Sequence, residues 1–260
     1  MDERIMKRIQ TICAWSGLGF VIFYGISWAV LGHNYPPPDP KFSAPELVAN
    51  YYLKYRDEIL LGQSLATFFG MFYLTWTVQL TVQMWQRERS QPHLRNHLLS
   101  LLNLTGGLLT AWVLVTMPVF WLWCAENAAT ADPELIKAFH FIGWYTYDMT
   151  YMITTIQTVG ICAFIFLDKT TPVLYPRWVG GLAIFSGLSF LPLTFLPYFK
   201  SGPFALNGYW SYHVAFISYA LFTGFLSYYQ AQDLKRVRTS DALGIGQAIS
   251  RNSVLTESCE

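Results

Sequence analysis

Asp148 is the one acidic residue that lies deep inside a long apolar run of this sequence. A charged group at the centre of a bilayer costs on the order of 3 kcal/mol on insertion scales, so such residues usually face a protein interior or a wet cavity. Three roles are open to its carboxyl group: hydrogen bonds that hold helices together, the lining of a path for a ligand or for protons, and acid–base catalysis.

Polar and aromatic side chains recur around Asp148 at steps of three and four, which places them on one inward face of a helix. A second group of polar and aromatic side chains, Tyr209, Tyr212 and His213, lies at the start of the last apolar run. Together they predict one cavity, lined by His140, Trp144, Tyr147, Asp148, Tyr151, Tyr209, Tyr212 and His213. For the two histidines the alternative is an interfacial imidazole bonded to a backbone carbonyl or to water.

The spacing argues against a metal site. His140 and Asp148 are eight residues apart, about 12 Å along a helix, whereas two ligands of one ion lie within roughly 3 to 4 Å of each other. Haem would need axial ligands on facing helices, and His140 with His213 is the one pair available. The sequence contains no H-E-x-x-H, G-x-S-x-G or Walker motif. We therefore expect no metal and identify no cofactor.

The elements that carry these residues are transmembrane helices. Hydrophobic residues make up 53% of the 260 residues and charged ones 13%, against about 25% charged in a soluble domain. Apolar runs of about 18 residues or more indicate bilayer spans. The predicted spans are Cys13–Gly32, Ile59–Met84, Leu98–Cys124, Phe139–Leu167, Trp178–Phe199 and Gly208–Tyr229. The sequence thus predicts an all-α protein with six transmembrane helices.

The distribution of positive charge predicts the orientation. Of the 17 Lys and Arg residues, 12 fall on the side of the two termini and five on the other side, which places both termini in the cytoplasm. The first run is too long for a signal peptide and lacks an A-x-A site, so we expect it to be retained. Residues 1–230 form one transmembrane domain, and residues 231–260 a polar, disordered cytoplasmic tail.

Two proline-rich segments have structural consequences. After Pro36–Pro40, Ser43 and Glu46 form a capping box, which predicts a short outer-loop helix that either lies in the membrane interface or packs on the bundle. Pro192 and Pro197 predict a kink in the fifth span.

Several motifs, in this order, resemble a family of bacterial six-span membrane proteins without an assigned activity, found in actinobacteria and in sphingomonad-type proteobacteria. The resemblance covers about residues 10–230. The motifs are Pro36–Pro38, Ser43–Leu47, Tyr51–Tyr52, Phe139–Trp144, Pro176–Gly180 and Phe199–Gly208. It implies a bacterial inner-membrane protein and transfers no catalytic residue. Asp148 departs from the apolar residues and proline of that family.

The leading functional hypothesis is the binding or movement of a lipophilic small molecule in an outward-facing aromatic cavity formed by spans four, five and six. One alternative is a membrane enzyme that acts on a lipid-like substrate with Asp148 and a histidine. Another is a structural subunit of a membrane complex. The expected partners are the lipid bilayer, a small molecule and further copies or subunits. A net charge of +1 without a basic stripe excludes nucleic acid.

Overall fold

The structure is a computed structural model that describes residues 3–257, with the side chains of residues 4–236. The described chain is helical and contains no strand. The helices are α1 (Glu3–Gly19, continuing as a π-helix over Phe20–Leu31), α2 (Ala44–Leu47, continuing as a π-helix over Val48–Leu53), α3 (Arg56–Arg89), α4 (Leu98–Asn127), α5 (Pro133–Met149), α6 (Tyr151–Leu167), α7 (Arg177–Ser189) and α8 (a π-helix Tyr209–Val214 followed by Ala215–Glu257).

Five helical stretches of the described chain are long and apolar enough to cross a membrane, which indicates a multi-pass membrane protein. They are Arg4–Leu31, Arg56–Arg89, Leu98–Asn127, Pro133–Leu167 and Arg177–Phe195. The sixth predicted span, Gly208–Tyr229, is helical as the first part of α8 but is not one of the five. Its apolar side chains are interrupted by buried hydroxyl groups, including those of Ser218, Thr223 and Ser227. A sixth crossing therefore stays a prediction.

The fourth predicted span is interrupted one turn from its expected centre. Helix α5 ends at Met149, α6 begins at Tyr151, and Thr150 between them has φ −82° and ψ 10°. The hydroxyl group of Thr150 donates to the carbonyl of Thr146 at 2.8 Å, a bond that bends helices. The sequence predicted one continuous helix here, and the break sets Asp148 in the last turn of α5.

The predicted kink in the fifth span is a helix end instead. Helix α7 stops at Ser189 and a 3-10 turn, Leu191–Phe195, carries the chain through Pro192. Proline lacks the N–H needed to continue an α-helix and disfavours helical geometry in the residue before it, so the helix ends ahead of the proline.

Helix α2 begins at the predicted capping box. The backbone N–H of Ser43 donates to the carboxylate of Glu46 at 2.8 Å, and this bond holds the pKa of Glu46 below its usual value. Leu47, Tyr51 and Tyr52 are buried against α4 and α5. Packing on the bundle is therefore the arrangement that α2 adopts.

Polar contacts tie each end of the bundle. At one end, which we call the Arg87 end, Arg87 forms ion pairs with Asp168 of the α6–α7 loop and Asp233 of α8. At the opposite end Tyr212 of α8 donates to the carbonyl of Asn34. The predicted tail, residues 231–260, lies mostly outside the described side chains, and its disorder stays a prediction.

Candidate functional site

A cavity of about 210 Å³ lies in the middle of the bundle, lined almost entirely by apolar and aromatic side chains. The π-helical part of α1, the α5–α6 junction, α4, the segment after α7 and the first part of α8 all contribute to its wall. The aromatic members are Phe20, Tyr24, Trp28, Tyr35, Tyr147, Tyr151, Phe190, Phe216 and Tyr219. Such a lining selects for a lipophilic ligand, because few polar groups are available to orient a polar one.

Asp148 is the one charged residue in this lining. Its side chain is 3% exposed, and its Oδ1 atom has no hydrogen-bond partner among the residues that the structure describes. The lining contains no Lys, Arg or His. A buried carboxyl oxygen without a donor is costly, so it marks a place where a missing partner belongs.

The tyrosine hydroxyl groups near Asp148 are bonded elsewhere. Tyr24 donates to the carbonyl of Leu114 at 3.2 Å, and its oxygen lies 3.2 Å from the hydroxyl of Tyr147. Because the proton of Tyr24 is used in the first bond, Tyr147 donates in the second. The hydroxyl of Tyr151 lies 2.5 Å from that of Thr194. None of these hydroxyl groups therefore donates to Oδ1 of Asp148.

Three aromatic rings lie together on one wall of the cavity. The ring centroids of Trp28 and Tyr147 are 5.1 Å apart with an interplanar angle of 12°. Phe216 lies 5.4 Å from Trp28 and 6.0 Å from Tyr147. Aromatic faces carry negative potential, so this wall attracts a positively charged group.

The π-helix of α1 positions the part of this wall that the sequence prediction missed. Phe20, Tyr24 and Trp28 are all buried, and they follow one another at steps of four. In a π-helix the backbone bonds run from i to i+5, a geometry that is rare and occurs frequently at functional sites. The recurrence of aromatic residues at steps of four in the first apolar run is the sequence pattern from which this part of the wall could have been predicted.

The cavity is open on one side, between α1 and α8. Val21 and Gly25 of α1 are half-buried and Ile217 of α8 is 51% exposed, whereas the lining residues of α4, Thr110, Val113 and Leu114, are buried. A Cβ atom added to Gly25 would meet no other atom within 4 Å. A ligand can therefore reach the cavity between these two helices.

Hydrogen bonds join α8 to α1 on one side of this opening and to the loop after α1 on the other. The hydroxyl of Ser227 on α8 accepts from the N–H of Leu18 at 3.0 Å and donates to the carbonyl of Ala14 at 2.6 Å. At the other end, the hydroxyl of Tyr35 lies 2.5 Å from Nδ1 of His213. The opening is thus a window between two fixed contacts.

The structure brings three of the eight predicted site residues to the cavity: Tyr147, Asp148 and Tyr151. Trp144 lies behind them, fully buried, with its ring centroid 5.9 Å from that of Trp28. Tyr212 is buried beside Phe216, at 5.0 Å between centroids.

The two histidines and Tyr209 lie elsewhere. His140 is buried beneath α2, where its Nδ1 atom is 2.6 Å from the hydroxyl of Tyr52. His213 bonds with Tyr35 and lines a surface groove, next to Tyr209, which is 70% exposed. Each imidazole thus has a tyrosine partner, and neither reaches Asp148. Within the described residues no group of three or more His, Cys, Asp or Glu side chains could hold a metal ion.

A chain of hydrogen bonds leaves the cavity towards the Arg87 end. Tyr219, which lines the cavity, donates to Tyr73, and Tyr73 donates to Oε1 of Gln157 at 2.5 Å. Gln157 donates to Asn103 at 3.1 Å, and Asn103 donates to the hydroxyl of Thr81 at 2.8 Å. This chain crosses α8, α3, α6 and α4 and fixes the positions of the helices around the cavity.

Comparison of the chain with protein families, curated proteins and solved structures gives no match. The resemblance to bacterial six-span proteins accordingly stays a prediction, and the function is argued from the site alone.

Proposed function

We propose that the protein crosses a bacterial inner membrane six times, with both termini in the cytoplasm, and binds or helps move a lipophilic small molecule. The observation that carries the functional part is the aromatic cavity of about 210 Å³ with its opening between α1 and α8. A cavity of roughly 150 Å³ holds benzene, so one aromatic ring with a few further heavy atoms matches this volume.

Two features support the sixth crossing and the orientation. Helix α8 packs along α1, to which it is bonded through Ser227 and Leu18, so it lies beside a membrane-spanning helix. The excess of Lys and Arg falls at the Arg87 end of the bundle, the end that faces the cytoplasm under the positive-inside rule.

Labelling of single cysteines tests this topology in a chain whose Cys13, Cys124 and Cys162 have been replaced, and whose Cys259 is also replaced in every variant that carries an introduced cysteine. A membrane-impermeant thiol reagent should label cysteines placed at Glu46, Asp132 and Gly202 from outside. It should leave those at Arg89 and Thr171 and the native Cys259 unlabelled. Labelling of Cys259 together with Gly202→Cys from outside would contradict the sixth crossing.

Binding of two single-ring probes, isobutylbenzene and dimethylbenzylammonium, tests the function. These molecules have the same shape, because an NH⁺ group replaces a CH group. Equilibrium binding is measured on the protein in detergent, with protein-free micelles as the blank. Gly25 lines the cavity at its opening, so the larger side chain of Gly25→Leu should obstruct the cavity and abolish binding.

The matched control for that variant is Gly181→Leu. Gly181 is exposed on α7, and a Cβ atom there also meets nothing within 4 Å, so the substitution is equally free of clashes but lies outside the cavity. It should retain binding. If neither probe binds the unaltered chain, or Gly25→Leu binds as well as the control, the proposed function is wrong.

The enzyme alternative needs an imidazole within hydrogen-bond reach of the Asp148 carboxyl group. His140 and His213 are bonded to Tyr52 and Tyr35 instead. The geometry therefore favours binding over acid–base catalysis.

A further inference from the structure

Four carboxylate side chains are buried in the described part of the chain, and three of them have donors. Glu88 accepts from the N–H and the hydroxyl group of Ser100, at 3.1 and 2.6 Å. Asp168 accepts from the side chain of Gln91 at 3.0 Å and from Thr170. Asp233 accepts from Gln83 at 3.2 Å and from Arg87 at 2.5 Å. The fourth, Asp148, has no such donor for its buried Oδ1 atom. In the described part of the chain, the buried carboxylates outside the cavity thus accept hydrogen bonds from the protein, whereas Oδ1 of Asp148 does not.

Asp148 also lacks a basic side chain as a counter-charge. Asp168 and Asp233 share the guanidinium group of Arg87, at 3.7 and 2.5 Å. Nothing comparable faces Asp148, since the cavity lining contains no basic side chain. A negative charge buried without a counter-charge is very costly, and a ligand that carries the counter-charge removes that cost.

The aromatic rings around Asp148 also favour a ligand that carries a positive charge. The rings of Trp28, Tyr147 and Phe216 lie together on one wall, and Tyr24 and Phe20 also line the cavity. Aromatic faces attract organic cations, most strongly where water is excluded. A neutral hydrocarbon would fill the volume but would leave the carboxyl oxygen without a donor.

From these observations we infer that the cavity binds a lipophilic organic cation, a protonated amine attached to one aromatic or branched alkyl group, with Asp148 as its counter-charge and hydrogen-bond acceptor. This inference rests on the proposed function, because it names the class of ligand for the same cavity. The route into the cavity is the opening beside Gly25, between α1 and α8.

The experiment compares the affinities of dimethylbenzylammonium and isobutylbenzene for the protein in detergent. The cation should bind the unaltered chain at least about tenfold more tightly, since a hydrogen bond to a charged group typically contributes that much. Asp148→Asn keeps the shape of the side chain and removes its charge. It should lower the affinity for dimethylbenzylammonium about 10- to 100-fold and change the affinity for isobutylbenzene less than about twofold.

Glu134→Gln is the matched control, because it removes an exposed carboxylate from the same helix, away from the cavity. It should leave both affinities unchanged. Equal binding of the two probes to the unaltered chain, with both lost in Gly25→Leu, would overturn the inference and uphold the proposed function. Binding of neither probe would overturn both. The comparison of probes on the unaltered chain does not require any variant to fold.

Discussion

The Arg87 end and the cavity both bury carboxylates, but they treat them differently. At the Arg87 end, Asp168 and Asp233 are held by Arg87, Gln91 and Gln83 in a network that ties α3, the α6–α7 loop and α8 together. In the cavity, Asp148 faces aromatic rings and receives no donor at Oδ1. The difference teaches that a buried carboxylate with donors can serve the packing of the helices, whereas Asp148, without a donor at Oδ1, adds a charged group to the wall of a cavity.

The largest effect is expected at the Arg87 end. Arg87→Met leaves Asp168 and Asp233 buried without their cation, which should lower the free energy of unfolding by about 3 to 5 kcal/mol. Denaturant unfolding in mixed micelles measures this. Arg89→Met, on an exposed residue of the same helix, should change stability by less than about 0.5 kcal/mol. Equal losses in the two variants would mean that the network at Arg87 is not structural.

The same substitution made in both regions gives the sharpest contrast. Asp168→Asn weakens bonds from Gln91, Thr170 and Arg87 and should cost about 1.5 to 3 kcal/mol of stability. Asp148→Asn breaks no recorded bond and should cost less than about 0.5 kcal/mol. Thermal unfolding of the two variants side by side checks the difference. A large loss in Asp148→Asn would reveal a partner and remove the contrast.

Two glycines on α1 and α3 extend the comparison from charge to packing. A Cβ atom on Gly62 would lie 2.4 Å from the backbone nitrogen of Gly32, so Gly62→Ala should cost about 1 to 3 kcal/mol through overpacking. Gly25→Ala meets open space and should be neutral or stabilising by up to about 1 kcal/mol. Melting temperatures in detergent decide this. A destabilised Gly25→Ala variant would show that the window is closed by packing.

Much of the helical framework was predictable because long apolar runs have one stable solution in a bilayer. Five of the six predicted spans correspond to helices of membrane-spanning length, and the capping box at Ser43 opens α2 as predicted. The break at Thr150 was not predictable, since a threonine in a helix more often continues it. The π-helical geometry of Phe20–Leu31 has no sequence signature comparable to a proline or a cap.

Asp148 was found from sequence because an acidic residue stands out in an apolar run, and Tyr147 and Tyr151 followed from helical spacing. The partners of the other residues depend on which helices meet. His140 bonds with Tyr52, which lies 88 positions away, and the aromatic wall needs α1 beside α5 and α8. The network at Arg87 was missed because Asp168 lies in a loop and Asp233 beyond the last apolar run, positions typical of solvated charge.

The most direct test is a structure with 4-bromo-dimethylbenzylammonium bound, in which the anomalous signal of bromine locates the ligand. We expect the bromine within the cavity between α1 and α8, and the amine nitrogen about 2.7 to 2.9 Å from the carboxylate of Asp148, the usual length of a charged hydrogen bond. A bromine signal in the surface groove beside Tyr209 and His213, with the cavity unfilled, would contradict the assignment of Asp148 as the counter-charge of a ligand.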